Sequence, residues 1–199
     1  MKTNIVLTGV GGQGVITAAN ILGKAALKAG LNVFVSEVHG MAQRGGSVNC
    51  TVRMGDVYGP LVANGTADAI VSTEPIEALR YINYSNNNTK IITDINPVIP
   101  FTVSVGSVKY PSLDKVFSEL RKNGELYKID ANKIATDVGN IITKNIVLLG
   151  SLAATDVLPF KSDLLLSTIL ENVPSKFKEI NRKAFQEGVK AIKKWIKIF

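Results

Sequence analysis

Hydrophobic positions along this chain follow two rhythms. Short apolar or alternating runs at 5–7, 31–35, 47–54, 69–71, 90–93 and 126–129 have the length and β-branched content of strands. Between them, apolar residues recur at helical spacing from Val15 to Lys28, from Glu74-Pro75 towards Tyr81, from Ser112 to Gly124, and at 131–138, 146–154 and 162–170. The last 26 residues, 174–199, place Phe177, Ile180, Ala184, Ile192, Trp195, Ile196 and Phe199 on one side of an amphipathic helix. Strand, helix and strand over 5–35 predict a βαβ unit with two parallel, adjacent strands and a right-handed crossover, Gly30 ending the helix. Gly55-Asp56 ahead of Val57-Tyr58-Gly59-Pro60 predicts a hairpin, and 103–110 alternates weakly. The expected fold is a three-layer, Rossmann-like α/β open sheet, mostly parallel with a possible antiparallel hairpin and C-terminal helices. Without repeats, low-complexity tracts or a linker, one domain over 1–199 is the expectation.

Composition narrows the function classes. At 46% hydrophobic residues the chain has material for a continuous core, which excludes wholesale disorder. No apolar run approaches the roughly 20 residues of a membrane span and the start does not read as a signal peptide, so the expected setting is cytoplasmic, with no membrane partner. Cys50 is the single cysteine; alone it forms no internal disulfide and cannot hold a zinc ion or an iron–sulfur cluster, so no metal site is expected. The net charge of +7 is concentrated at 174–199, where eight Lys or Arg face Glu179 and Glu187. That reads as a solvated helix face or a docking face for an acidic protein rather than a nucleic-acid surface, because no helix-turn-helix and no aromatic-interleaved basic patch accompanies it.

Two glycine-rich segments carry the candidate chemistry. Gly9, Gly11 and Gly14, with Gly12 and Gln13 between them, form G-x-G-x-x-G between a strand and a helix, where backbone can approach an anion and the helix N-terminus favours negative charge. Glu37, 23 residues past Gly14, stands where a dinucleotide fold places its ribose acid. The second segment holds Glu37, His39, Gln43, Arg44, Gly45 and Gly46, among them the only histidine. Arg44 suits a bidentate clamp on phosphate or carboxylate, and His39 a hydrogen bond or a charge change near neutral pH. If both segments leave neighbouring parallel strands, they face each other across a crevice at one sheet edge. The same glycines equally suit tight packing against a partner subunit. Cys50, Asp94 and Asp130 read as core, turn and cap residues, and Thr143-Lys144-Asn145 as a surface cap.

These segments, with Ala131-Asn132-Lys133-Ile134-Ala135 and Asn140-Ile141-Ile142-Thr143-Lys144-Asn145-Ile146, resemble the gamma-type domain of the 2-oxoacid:ferredoxin oxidoreductases over nearly the whole chain. The wording His39-Gly40-Met41-Ala42-Gln43-Arg44-Gly45-Gly46 resembles most the beta subunits of the indolepyruvate branch. The resemblance implies a non-autonomous subunit of an enzyme that oxidatively decarboxylates indolepyruvate and other aryl 2-oxo acids to acyl-CoA, reducing ferredoxin. It implies thiamine diphosphate, magnesium and iron–sulfur clusters on a large partner subunit, in a heterodimer or heterotetramer, with coenzyme A a candidate to be shared by this chain; it leaves open whether the isolated chain forms a homodimer. On that reading Gly9 to Gly14 and Glu37 to Gly46 line the coenzyme A or substrate side and the subunit contact. A stand-alone NAD-dependent reductase and a non-catalytic interaction module are the alternatives that the residues themselves leave open.

Overall fold

The computed structural model describes residues 1–40, 45–99, 106 and 109–196, and for His39 and Ile196 the backbone only. Six strands form one sheet: β1 (Lys2–Val10), β2 (Val33–His39), β3 (Ser47–Gly55), β4 (Ala69–Ser72), β5 (Lys90–Asp94) and β6 (Glu125–Ile129). The helices are α1 (Val15–Lys28), α2 (Pro75–Arg80), α3 (Leu113–Lys122), α4 (Ala131–Asp137), α5 (Lys144–Ala153), α6 (Ser162–Glu171) and α7 (Lys178–Ile196). The strand order is β2-β3-β1-β4-β5-β6. β1, β4, β5 and β6 run parallel, whereas β3 is antiparallel to both β1 and β2. Five strands therefore point one way and β3 alone points back.

The βαβ expectation needs one correction. β2 is parallel to β1 but not its neighbour, because β3 lies between them, paired with β1 from Lys2↔Gly55 to Val10↔Ser47. The physical reason is the burial of β3 on both faces. Val48, Cys50, Val52 and Met54 enter the main core beneath α1, while Asn49 and Thr51 on the other face are buried as well. Such a strand belongs in the interior of a sheet. The antiparallel hairpin is accordingly β2–β3, joined through 40–46, and not the one expected after Gly55. Residues 57–60 instead cross the polar face of β3, where Arg53 Nη1 donates to the Gly59 carbonyl at 2.7 Å and Thr51 to that of Pro60 at 3.1 Å. Most of the weak run at 103–110 lies outside the described residues; Lys109 and Tyr110 are in no strand.

Alternation along the strands divides the core into two layers, as period-2 side chains require. Ile5, Leu7, Val71, Ile92 and Tyr127 pack with α1, α4, α5, α6 and α7. On the opposite face Ile91 and Leu126 pack with Ala78 of α2 and Val116, Phe117 and Leu120 of α3. Helices on both faces leave the two sheet edges and the strand ends for contact with other molecules. At the carboxyl ends of β1, β4, β5 and β6 the chain turns into Gly9–Gly14, Thr73-Glu74, Asp94 and Asp130, and the β2–β3 connection arrives at this same rim.

Arg53 also holds Asn4, a residue 2% exposed, by donating from Nε to Oδ1 at 3.0 Å. Arg53→Met leaves that buried acceptor and the Gly59 carbonyl without their donor. The expected loss is about 2–3 kcal/mol of stability, read from the urea midpoint at unchanged m-value; a loss under about 0.5 kcal/mol would show that the 57–60 segment is held by other contacts.

Candidate functional site

The first glycine turn is held by side chains from elsewhere on the rim. Gln13 N donates to the Val10 carbonyl at 3.1 Å, closing the turn, and Gln13 Oε1 accepts from Val10 N at 3.1 Å and from the Thr73 hydroxyl. A Cβ on Gly9 would fall 1.8 Å from Thr73 Oγ1, so this glycine makes room for the β4 end. Gly14 caps α1 in the left-handed region at φ +78°, where a Cβ would also stand 2.7 Å from Asn145 Nδ2. Asn145 donates to the Gly14 carbonyl at 3.3 Å, tying the start of α5 to the start of α1. Both glycines are thus accounted for by protein contacts.

The second glycine segment returns to the same place. Gly11 N donates to the Gly46 carbonyl at 2.8 Å, and Gly45 N to the Gly11 carbonyl at 3.2 Å. The two segments meet at one rim, though not by leaving neighbouring parallel strands as expected, and at Gly11 they are joined by these backbone bonds. His39 ends β2 opposite Val48; Gln43 and Arg44 lie outside the described residues. Glu37 is exposed opposite Cys50, with the whole of β3 between it and β1. That extra strand removes the adjacency through which a ribose acid at the end of β2 serves a ligand on the β1 turn, and it counts against the NAD reading.

The open space lies on the other side of the turn. A cavity of about 530 Å³ has Gly12, Gln13 and Gly14 along one wall and residues 140–146 along another, with Val98 and Phe177 at its sides. Amide side chains dominate its polar lining, among them Gln13, Asn132, Asn140, Asn145 and Asn181. The N-terminal turns of α1 and α5 both reach it; Gly14 offers α1 no side-chain cap, whereas the turn 141–143 leading into α5 is capped by Asn140, whose Oδ1 accepts from Ile142 N at 3.0 Å. Two helix ends with partial positive charge therefore converge on one polar cavity.

Residues 4–191 match the family described as pyruvate ferredoxin/flavodoxin oxidoreductase. The chain belongs to this family. It is 50% identical to the indolepyruvate oxidoreductase subunit IorB of Pyrococcus horikoshii over 98% of each chain. Among solved structures, the gamma subunit of the keto/oxoacid ferredoxin oxidoreductase of Geobacter sulfurreducens PCA superposes with a TM-score of 0.71 at 26% identity, over 96% of this chain and 99% of that one. The 2-oxoglutarate:ferredoxin oxidoreductase of Magnetococcus marinus, whose structure holds 2-oxoglutarate, coenzyme A and succinyl-CoA, shares the fold at a TM-score of 0.74 and 19% identity; the chain covers 97% of itself but 31% of that longer chain.

Membership of this oxidoreductase family raises the question of which redox groups the residues suit. Cys50 is buried in β3, and burial, with the nearby charge of Glu37 behind it, pushes its thiol up to about 12. One inert thiol does not fit a cluster that takes four, and among the described residues no group of three His, Cys, Asp or Glu is placed to hold a metal ion. A cluster held by four thiolates does not fit the single cysteine of this chain.

In the family chain the cavity also carries an element that local reading missed. Thr143, Lys144 and Asn145 are not a surface cap: all three are buried, and Lys144 Nζ forms an ion pair with Asp94, which has no exposed surface. Asp94 Oδ1 accepts from Ala131 N at 3.1 Å and from Asn96 at 3.0 Å, and Asn96 also donates to Asp130 at 2.9 Å. The only local signals were a lysine opening an otherwise apolar helix and an aspartate closing an apolar strand. Lys144 lines the cavity, but its charge is balanced by Asp94, so any pull on an anion comes from helix ends and amides. Lys144→Met strands a buried carboxylate, and the expected loss of stability is about 3–5 kcal/mol. The double variant with Asp94→Asn is expected to recover part of it; equal urea midpoints for the single and double variants would deny the pairing its energetic role.

Proposed function

We propose that this chain is the small, non-autonomous subunit of an indolepyruvate-type ferredoxin oxidoreductase, and that its cavity forms part of the coenzyme A side of the assembled site. Supporting this most is the near full-length, 50% identity to an indolepyruvate oxidoreductase subunit. The reaction class is oxidative decarboxylation of an aryl 2-oxo acid to its acyl-CoA, with two electrons leaving to ferredoxin. Thiamine diphosphate and the clusters reside on a larger partner subunit, in a heterodimer or heterotetramer working in the cytoplasm.

Within that division of labour this chain binds and orients. Coenzyme A supplies the thiol that accepts the acyl group. The uncapped first turn of α1 suits its phosphates, as helix N-termini suit anions generally, with the start of α5 beside it, while Gln13, Asn140 and Asn145 offer amide groups along the cavity. Lys144, neutralised by Asp94, leaves the site without an excess charge to trap product. Gly45 and Gly46 are joined to Gly11, next to the Gly12–Gly14 wall of the cavity.

The purified chain is expected to show neither indolepyruvate turnover nor cluster absorbance, and mixing with the large subunit to bring both together with ferredoxin reduction. Turnover by the lone chain would overturn this reading. Calorimetry of the lone chain with NADH is expected to give no heat of binding at micromolar concentrations; a micromolar Kd would favour a nicotinamide enzyme instead.

A further inference from the structure

The turn from β4 into α2, residues 73–77, reaches three other rim segments through its side chains. Thr73 holds Gln13 in the glycine turn. Glu74, 2% exposed, accepts through Oε1 from the Tyr110 hydroxyl and from Val98 N at 3.4 Å, and through Oε2 from Glu77 N at 2.9 Å, capping α2. Glu77 is buried too and accepts from the Ser47 hydroxyl through Oε2, while Arg80 Nε lies 3.2 and 3.3 Å from its two oxygens. Ser47 also meets the Tyr81 hydroxyl at 3.2 Å. Its position matters: Ser47 pairs with Val10 and follows Gly46, the acceptor for Gly11. Val98, for its part, lines the cavity.

Every group that these two carboxylates meet is a donor: two backbone N–H groups, hydroxyls of serine and tyrosine, and a guanidinium. A carboxylate accepts on both oxygens and donates on neither, so it satisfies this set where an amide cannot do so throughout. Burying two carboxylates on one helical turn beside a single half-exposed arginine costs free energy that apolar side chains would not. What they contribute is geometry. We infer that Glu74 and Glu77 are positioning residues for the rim of the site: Glu77, through Ser47, fixes the Gly11–Gly46 junction, and Glu74 fixes the Val98 wall of the cavity. The inference rests on the cavity serving coenzyme A as proposed above.

The hydrogen bonding predicts an asymmetry between two isosteric changes. In Glu77→Gln the amide oxygen still accepts from Ser47, and its NH₂ turns to Arg80, which is free to swing into water. In Glu74→Gln the Tyr110 hydroxyl can turn and accept, but each oxygen also takes a backbone N–H, so the NH₂ opposes Val98 N or Glu77 N whichever way it points. Measured on the complex with the large subunit, Glu74→Gln is expected to raise KM for coenzyme A about tenfold with kcat within about twofold, the pattern of lost uniform binding, and Glu77→Gln to stay within about twofold on both. Hydrogen exchange of the same complexes supplies a readout independent of turnover. Amides in segments 9–14 and 45–48 are expected to exchange about tenfold faster in Glu77→Ala and Ser47→Ala, and at the unaltered rate in Glu77→Gln. Equal effects of the two Gln variants, or unchanged exchange in Ser47→Ala, would overturn the inference; Ser47→Ala keeps the test open should Glu77→Ala fail to assemble. A wild-type complex that ignores coenzyme A would instead count against the proposed function, leaving the exchange result to judge the anchoring.

Discussion

The rest of the site depends on β3 being held between two strands that it opposes in direction. Because it pairs with β1 along nine residues and with β2 along seven, its start at Ser47 is fixed at the end where β1 leaves the sheet. A strand parallel to both would begin at the far edge, and 40–46 would need a crossover of a dozen residues or more to reach it. Reversal makes a short connection sufficient. It also brings Gly45 and Gly46 within hydrogen-bond distance of Gly11, so the contact between the two glycine segments follows from sheet topology.

Bringing so many chain segments to one rim gathers polar groups that the sheet ladder no longer satisfies. An unpaired polar group under cover costs free energy comparable to a lost hydrogen bond, and the rim meets that demand with side chains from distant sequence. Gln13 and Thr73 take up the β1 turn, Asn145 the Gly14 carbonyl, and Asp94 the first amide of α4 together with the Lys144 ammonium. These ties connect strand ends with one another, helix starts with one another, or a strand end with helix starts, as Asp94 does. Such cross-ties stiffen the rim, and a stiff wall is what a cavity between two helix N-termini needs if its dipoles are to stay aimed at one point.

The strands were legible because their apolar runs are short, β-branched and interrupted by glycine or polar turns, and the helices because their spacing is regular; α1, for instance, falls where Val15 to Lys28 predicted it. The order of the strands was not legible. Asn49, Thr51 and Arg53 alternate with apolar residues in β3, which marks a strand but not its neighbours, since nothing local reveals that 57–60 will fold across them. Site residues divide the same way. The glycine turn announces itself over six residues, whereas the Asp94–Lys144 pair joins positions 50 apart in sequence and is visible only once β5 and α5 are placed side by side. Glu74 and Glu77 were half legible: an acid before a proline, with another three residues on, signals a helix start, and it says nothing of Tyr110, Val98 or Ser47.

On the proposed function, a chain whose single cysteine does not suit a cluster contributes through shape and through what it holds still. The same fold stands almost complete as a separate gamma subunit and recurs as about a third of a much longer chain. Covalent attachment is therefore no requirement of the architecture. It changes only the effective concentration at which the pieces meet. Where the piece is separate, its docking must come from its surface alone, and any looseness in the rim would add an ordering cost to each binding event. A rim already locked by buried acceptors and backbone bridges avoids that cost, because its geometry is fixed within the chain before any partner arrives.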